Sequence, residues 1–140
     1  MKQFIKPLLG LTFFALVQFA QAEHVVVVSS KSTVGNLSKE QIADIYLGSS
    51  KEFPNGGQAL PLLQSGGSLR AEFFEKILGK SEAQAKSIWS RIVFSGKGNA
   101  PREVGDSAEV LKLIAANPNC IGIVEKSAVN SSVKVVYTSP

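Results

Sequence analysis

The amino-acid sequence predicts an α/β domain in which helices flank a central sheet. Three observations support this prediction. Residues 25–28 are all valine, and such an unbroken β-branched run is typical of a strand buried on both faces. Segments beginning at Ser38 and Ser81 carry strong helix-start patterns. Short apolar runs alternate with the helical segments along the chain, and this alternation favours an α/β layer architecture.

The first predicted helix starts at Ser38, the N-cap of a capping box that Gln41 completes. Gly48 is expected to stop this helix, because glycine readily adopts the left-handed conformation of a helix C-cap. A turn cluster follows. Residues 59–63 then form a short apolar run, which predicts a second strand.

A second helix is predicted after Ser68, ending at Gly79, and a third begins with the capping box of Ser81 and Gln84. Apolar residues recur at core spacing along this third helix, and Trp89 lies on that stripe, so it is expected in the core. Asp106 to Glu109 opens a fourth helix. The last two strands are predicted at residues 121–124 and 133–136.

The first 22 residues have the features of a cleaved export signal. Lys2 and Lys6 give a basic start, and the apolar stretch at residues 8–19 is too short to span a bilayer comfortably. Ala20-Gln21-Ala22 is an A-x-A cleavage site, with no stop-transfer pattern after it. The sequence therefore predicts a signal peptide at 1–22, a mature domain at 23–140, a periplasmic location and no membrane span after cleavage.

Charge and composition exclude several classes of function. The full chain has a net charge of +4, and removal of Lys2 and Lys6 leaves +2. This is too mild a charge, without any basic run, to indicate nucleic-acid binding. The predicted mature chain has 118 residues, 140 minus 22, which suits one domain.

The sequence offers no catalytic or metal-binding constellation. Cys120 is the only cysteine and His24 the only histidine. Cys120 is expected to be a buried thiol, and His24 an exposed residue near the start of the mature chain. No Ser-His-Asp set, HExxH or CxxC motif is present. The sequence therefore predicts a protein that is not an enzyme, with no catalytic residue, metal site or cofactor.

The turn between the second strand and the second helix is the strongest candidate for a binding site. The first turn of a helix presents unpaired N–H groups and the positive end of the helix dipole, which together attract anions. Glycines let the backbone approach a ligand, and serines add hydroxyl donors. The predicted ligand-binding residues are Gln64, Ser65, Gly66, Gly67, Ser68 and Arg70.

A second interpretation of this segment stays open. Glycine and serine before a helix are also ordinary features of turns and helix caps. In that case Arg70 points to water, or it pairs with Glu72 or Glu75.

Several pieces of the chain together resemble the periplasmic phosphate-binding component of ABC transporters, which has the type 2 periplasmic binding protein fold. Their order also matches. The pieces are residues 37–48 (LSKEQIADIYLG), the turn at 65–68 followed by Phe73-Phe74, Trp89 with the loop at 96–99 (GKGN), and residues 117–124 (NPNCIGIV). The resemblance spans nearly all of the predicted mature chain but only about one lobe of the usual two.

The resemblance transfers only in part to the turn. Family members that bind phosphate resemble Arg-Ser-Asp-Gly-Ser-Gly-Thr there. Alignment on the Gly-Ser pair places Gln64 where that Arg stands and Gly66 where the Asp stands. Leu69 and Arg70 replace the final Gly-Thr. The positions that match are Ser65, Gly67 and Ser68. The resemblance thus implies a cradle that keeps its backbone and hydroxyl donors while its charged groups are altered.

Two functions follow from these observations. The first is an exported binding module that holds phosphate or a similar oxyanion, with an ABC permease or another envelope protein as its partner. Because one lobe leaves the anion half solvated, we expect weak binding, in the range of about 1 mM. The second is a ligand-free periplasmic scaffold or protein-interaction domain that kept the fold.

Overall fold

A computed structural model describes residues 23–139 and Gly10. The predicted signal peptide lies outside the described residues, apart from Gly10. Within the described part of the chain, no helix is long and apolar enough to cross a membrane.

The domain is built on a mixed five-stranded sheet in the order β3-β2-β4-β1-β5. Strands β2, β3 and β4 run parallel to one another, whereas β1 runs antiparallel to its neighbours β4 and β5. The strands are β1 (His24–Ser29), β2 (Leu60–Gln64), β3 (Arg102–Val104), β4 (Cys120–Glu125) and β5 (Val133–Thr138).

Helices pack on the sheet, so the predicted α/β class with flanking helices is confirmed. The helical segments are α1 (Lys39–Leu47), α2 (Ser68–Glu72), a π-helical segment (Phe73–Leu78) that directly continues α2, α3 (Glu82–Phe94), α4 (Ser107–Ala116) and a 3₁₀ turn (Lys126–Ala128).

Strand β1 separates two hydrophobic clusters. Val26 and Val28 pack into a cluster with Tyr46 and Trp89, whereas Val25 and Val27 join a second cluster built around α4. All four valines are almost fully buried. The run of valines therefore forms the predicted strand with both faces buried, and Trp89 lies in the core as expected.

The predicted helix starts are confirmed. Ser38 and Gln41 form a capping box at α1, and Ser81 and Gln84 form one at α3. Gly48 ends α1 with φ 82°, in the left-handed region. These ends are coded by residues within one helical turn, so local sequence is sufficient to specify them.

The prediction that His24 is an exposed terminal residue was wrong. His24 is the first residue of β1, opposite Glu125 of β4, and only 6% of its surface is exposed. Its Nδ1 lies 2.6 Å from a carboxylate oxygen of Glu72. Its backbone pairs with β4 on one side and accepts a hydrogen bond from the N–H of Ser139 on the other, and these contacts hold this end of the strand in the sheet. These pairs join residues about 100 positions apart, beyond the reach of a local pattern.

The short strand β3 and the π-helical segment were also absent from the prediction. Strand β3 has three residues, and two of them, Arg102 and Glu103, are exposed. Such a strand carries no clear apolar alternation and forms only because β2 offers a free edge.

Where β2 and β4 diverge, hydrogen bonds from a side chain connect the two strands. Their backbone pairing is confined to Leu60 and Pro61 of β2, and proline cannot donate to a ladder. The Tyr46 hydroxyl lies between the strands, 2.6 Å from the carbonyl oxygen of Leu62 and 3.3 Å from that of Ile121. Burial raises the pKa of Tyr46, so the hydroxyl keeps its proton and donates.

Helix α4 packs directly on the backbone of β4 at Gly122. A Cβ placed on Gly122 would lie 2.6 Å from Val110 Cγ1 and 3.1 Å from Ile114 Cδ1. Glycine is therefore needed at this position for the helix to approach the sheet so closely.

Candidate functional site

The candidate turn lies at the edge of the sheet where the parallel strands end. Strand β2 ends at Gln64 and α2 begins at Ser68. The N–H of Ser65 donates to the carbonyl oxygen of Val104 at 2.8 Å, so the turn is tied to the end of β3. In open α/β sheets, ligands bind in crevices beyond this edge.

Helix α2 differs from the other α-helices at its N-terminus. Its N-cap is Gly67, which makes no side-chain capping bond. The N-caps of α1, α3 and α4 are Ser38, Ser81 and Asp106, and each accepts from an N–H of its helix. The first-turn N–H groups of α2 therefore lack a side-chain acceptor among the described residues, and residues 65–68, which lead into this helix start, are all exposed.

Gly67 has a backbone conformation that only glycine adopts easily, with φ 90° and ψ 175°. Gly66 does not have a positive φ. A Cβ on either glycine would meet nothing within 4 Å, so backbone strain is what distinguishes the two. The turn thus depends on glycine at 67 and tolerates a larger residue at 66.

Gln64 points into the protein, away from the turn's exposed surface. Its side chain is buried, and the amide nitrogen donates to Ser107 Oγ at 2.8 Å and to the carbonyl oxygen of Ile123 at 3.2 Å. Gln64 therefore ties β2 to β4 and to the start of α4. Sequence reasoning did not find Ser107 as a neighbour of the turn, because 43 residues separate the two partners.

Arg70 is also held inside. It is 6% exposed, and its guanidinium lies 5.4 Å from the centre of the Phe74 ring. Nε and one terminal nitrogen donate to Glu82 at 3.0 and 2.6 Å, and the same terminal nitrogen donates to Glu103 at 3.1 Å. The other terminal nitrogen donates to the carbonyl oxygen of Gln64 at 2.9 Å. Its partners are thus neither Glu72 nor Glu75, the two considered from sequence.

These contacts define the electrostatics of the turn. The positive charge of Arg70 lowers the pKa of Glu82 through a hydrogen bond, so both groups are ionised and largely neutralise each other. Asp106 adds a negative charge at the adjacent start of α4. An anion at the turn would therefore be held by main-chain N–H groups and by the hydroxyls of Ser65 and Ser68.

The four residues of the turn, 65–68, are exposed to solvent. Cavities of about 430, 480 and 520 Å³ are all lined by other residues. Among residues 23–139, no group of three or more His, Cys, Asp or Glu residues could hold a metal ion. Cys120 is a buried free thiol, as expected.

Comparison with solved structures places this fold beside that of transport proteins. A protein from Clostridium perfringens, described as a phosphate ABC transporter substrate-binding protein with bound phosphate, is 20% identical with a TM-score of 0.66. An ABC-type phosphate transport receptor from Vibrio cholerae is 18% identical with a TM-score of 0.64, and PstS from Borrelia burgdorferi is 12% identical with a TM-score of 0.61. No protein-family model and no curated protein matches the sequence.

The extent of the matches is as informative as their quality. Each covers 81% of this chain but only 44–46% of the solved protein. The chain thus spans less than half the length of these proteins, as one lobe would. At 12–20% identity the likeness shows the fold, and the predicted resemblance is confirmed at that level.

Proposed function

We propose that this protein is an exported binding module that holds phosphate or a similar oxyanion at the turn of residues 65–68. The observation that carries the proposal is the uncapped N-terminus of α2, exposed at the sheet edge where ligands bind in α/β folds. The solved relative with bound phosphate supports the choice of ligand.

In this proposal the predicted site residues have two different roles. Main-chain N–H groups from Gly67 onward and the hydroxyls of Ser65 and Ser68 contact the anion. Gln64 and Arg70 hold the turn from behind through the contacts described above. Gly66 has no side chain and so leaves room for the anion to reach the turn.

The open surface favours weak binding. Water that remains on one side of the anion screens its hydrogen bonds and keeps the local dielectric high. Without a free cation at the turn, the main-chain and hydroxyl donors stabilise the complex by about 4 kcal/mol, which corresponds to a dissociation constant of about 1 mM. A second lobe, a second copy or an ABC permease that covers the turn would tighten binding by excluding this water.

Amide chemical shifts in NMR spectra test the proposal. Titration of the folded domain with phosphate, at constant ionic strength, should give saturable shifts of residues 65–70 with a midpoint of about 1–10 mM. Sulfate serves as a second oxyanion and chloride as the control. An absence of saturable shifts at these residues up to about 50 mM phosphate would reject the proposal.

Two glycine variants provide a matched pair for this titration. Gly67→Ala forces a strained φ at the N-cap and should weaken phosphate binding at least about fivefold. Gly66→Ala adds the same methyl group without positive φ and should bind like the wild type. Equal affinities of the two variants would show that the arrangement of N–H groups at α2 does not determine binding.

A protein-interaction domain is the second candidate, and one observation favours it. Phe94 at the end of α3 is 96% exposed, and the adjacent Val93 is 53% exposed. Neighbouring exposed apolar side chains form a contiguous patch, and contiguous apolar patches mark protein contacts more often than single exposed residues do. Light scattering after size-exclusion chromatography tests self-association. A monomer at all concentrations, for the wild type and for Phe94→Ser, would weigh against contact between copies through this side chain.

A further inference from the structure

A cavity of about 430 Å³ lies at the opposite edge of the sheet from the turn, where strands β2 and β4 begin. Leu60 and Cys120, which are partners across the two strands, both line it. Its volume falls in the range of sites that hold small ligands, about 300–1,000 Å³. The function proposed above makes no use of this cavity.

Two cationic side chains line the cavity, Lys51 and Arg102. No Asp or Glu lines it. Within residues 23–139, neither cation takes part in an ion pair or a side-chain hydrogen bond. This contrasts with Arg70, whose charge is met by two carboxylates. The two positive charges at the cavity therefore have no ion-pair partner among residues 23–139.

The backbone fixes both cations beside β2. The carbonyl oxygen of Lys51 accepts from the N–H of Ala59 at 2.9 Å, and Arg102 is the β3 partner of Leu62. The stem of Lys51 passes the loop at Gly98, with Cε 3.6 Å from the position of a Cβ there. The two charges thus flank the start of one strand.

The remaining lining has a polar part and an apolar part. The side-chain oxygen of Asn117 accepts from the N–H of Asn119 at 2.9 Å. The side-chain nitrogen of Asn117 therefore remains as a donor for a ligand, and Asn99 adds a second side-chain amide to the lining. Ala59 and Cys120 are buried apolar groups on the floor. Burial raises the pKa of the Cys120 thiol, and the positive charge of Arg102 opposes part of that rise.

We propose that this cavity is a second binding site, for a small organic carboxylate. Lys51 and Arg102 pair with the carboxylate, to which the planar Arg fork is well matched. The short apolar body of the ligand covers Ala59 and Cys120. A ligand with a single charge fits, because a second charge would lie against the apolar floor, where an unpaired charge is costly to bury. The site lies apart from the oxyanion turn and does not depend on it.

Benzoate and its neutral analogue benzamide test the proposal, because they share the ring and differ in charge. Titration of the folded domain with benzoate should give saturable amide shifts at residues 98–100, at Arg102 and at Ala59, and leave residues 65–68 unchanged. Benzamide should bind at least about tenfold more weakly. The function proposed above is tested by phosphate binding at residues 65–68, whereas this proposal is tested by benzoate binding at the cavity. Either result can be negative without affecting the other.

Charge variants complete the experiment. The double variant Lys51→Gln with Arg102→Gln should weaken benzoate binding at least about tenfold. Both side chains are exposed, so we expect thermal unfolding to show an intact fold. Lys112→Gln, at an exposed lysine of α4 that does not line the cavity, is the control. Equal binding of benzoate and benzamide, or no saturable shift at residues 98–100 and Arg102 up to about 20 mM benzoate, would overturn the proposal.

Discussion

Replacement of Arg70 by methionine decides whether this residue supports the fold or binds the ligand. The side chain of methionine retains much of the packing against Phe74 but donates no hydrogen bond. If Arg70 supports the turn from behind, Arg70→Met should destabilise the domain. If Arg70 instead contacts the anion, the variant should bind phosphate less well while its stability remains that of the wild type.

The expected loss of stability follows from the partners of the guanidinium. Glu82 and Glu103 have side chains that are 45% and 57% exposed, so water can solvate them when the arginine is absent, and each pair is worth about 0–1 kcal/mol. The Gln64 carbonyl oxygen accepts in a buried bond, and the loss of its donor costs about 1–3 kcal/mol. Arg70→Met should therefore lower the free energy of unfolding by about 1–5 kcal/mol.

Urea unfolding at neutral pH, followed by circular dichroism, measures this difference. Lys76→Met is the matched control, because Lys76 is a cation on the π-helical segment that continues α2. Its one ion pair among residues 23–139 is 4.0 Å long and partly exposed. Its loss should cost less than about 0.5 kcal/mol. A stability of Arg70→Met within about 0.5 kcal/mol of the wild type, together with lost phosphate binding, would refute the supporting role.

Three further changes test the packing and the charge pairs. Tyr46→Phe leaves two carbonyl oxygens between β2 and β4 without their donor, and should lower the urea-measured stability by about 1–3 kcal/mol. Tyr137→Phe, at a partly buried tyrosine, should cost less than about 0.5 kcal/mol. Gly122→Ala overlaps two side chains of α4 and should cost about 1–3 kcal/mol or more in the same assay, whereas Gly35→Ala has open space and should be nearly neutral. Because the pKa of Glu82 is lowered in the folded state, its stabilising contribution is present above the unfolded pKa and is lost as the pH falls through the folded pKa. The stability difference between wild type and Glu82→Gln should therefore shrink as the pH falls below the ordinary pKa of glutamate, about 4.3, and a constant difference would contradict the ion pair.

The helices and most strands could be predicted because their signals are local. The capping boxes at Ser38 and Ser81 code for helix starts within four residues, and the valines of β1 code for burial on both faces. Strand β3 could not be predicted, since its three residues carry almost no pattern of their own. The same limit applied to His24, whose burial depends on strands from the far end of the chain.

The sequence alone determined the α/β class, the order of the four main helices and of every strand except β3, and the position of the glycine turn, because neighbouring residues encode each of them. Only the tertiary structure decided where the side chains around that turn point. Arg70 meets Glu82 and Glu103, which are 12 and 33 residues away, and Gln64 meets Ser107 across 43 residues. The cavity flanked by Lys51 and Arg102 likewise exists only once β3 pairs with β2. Contacts of this kind depend on how separate elements pack, and no spacing within one element specifies them.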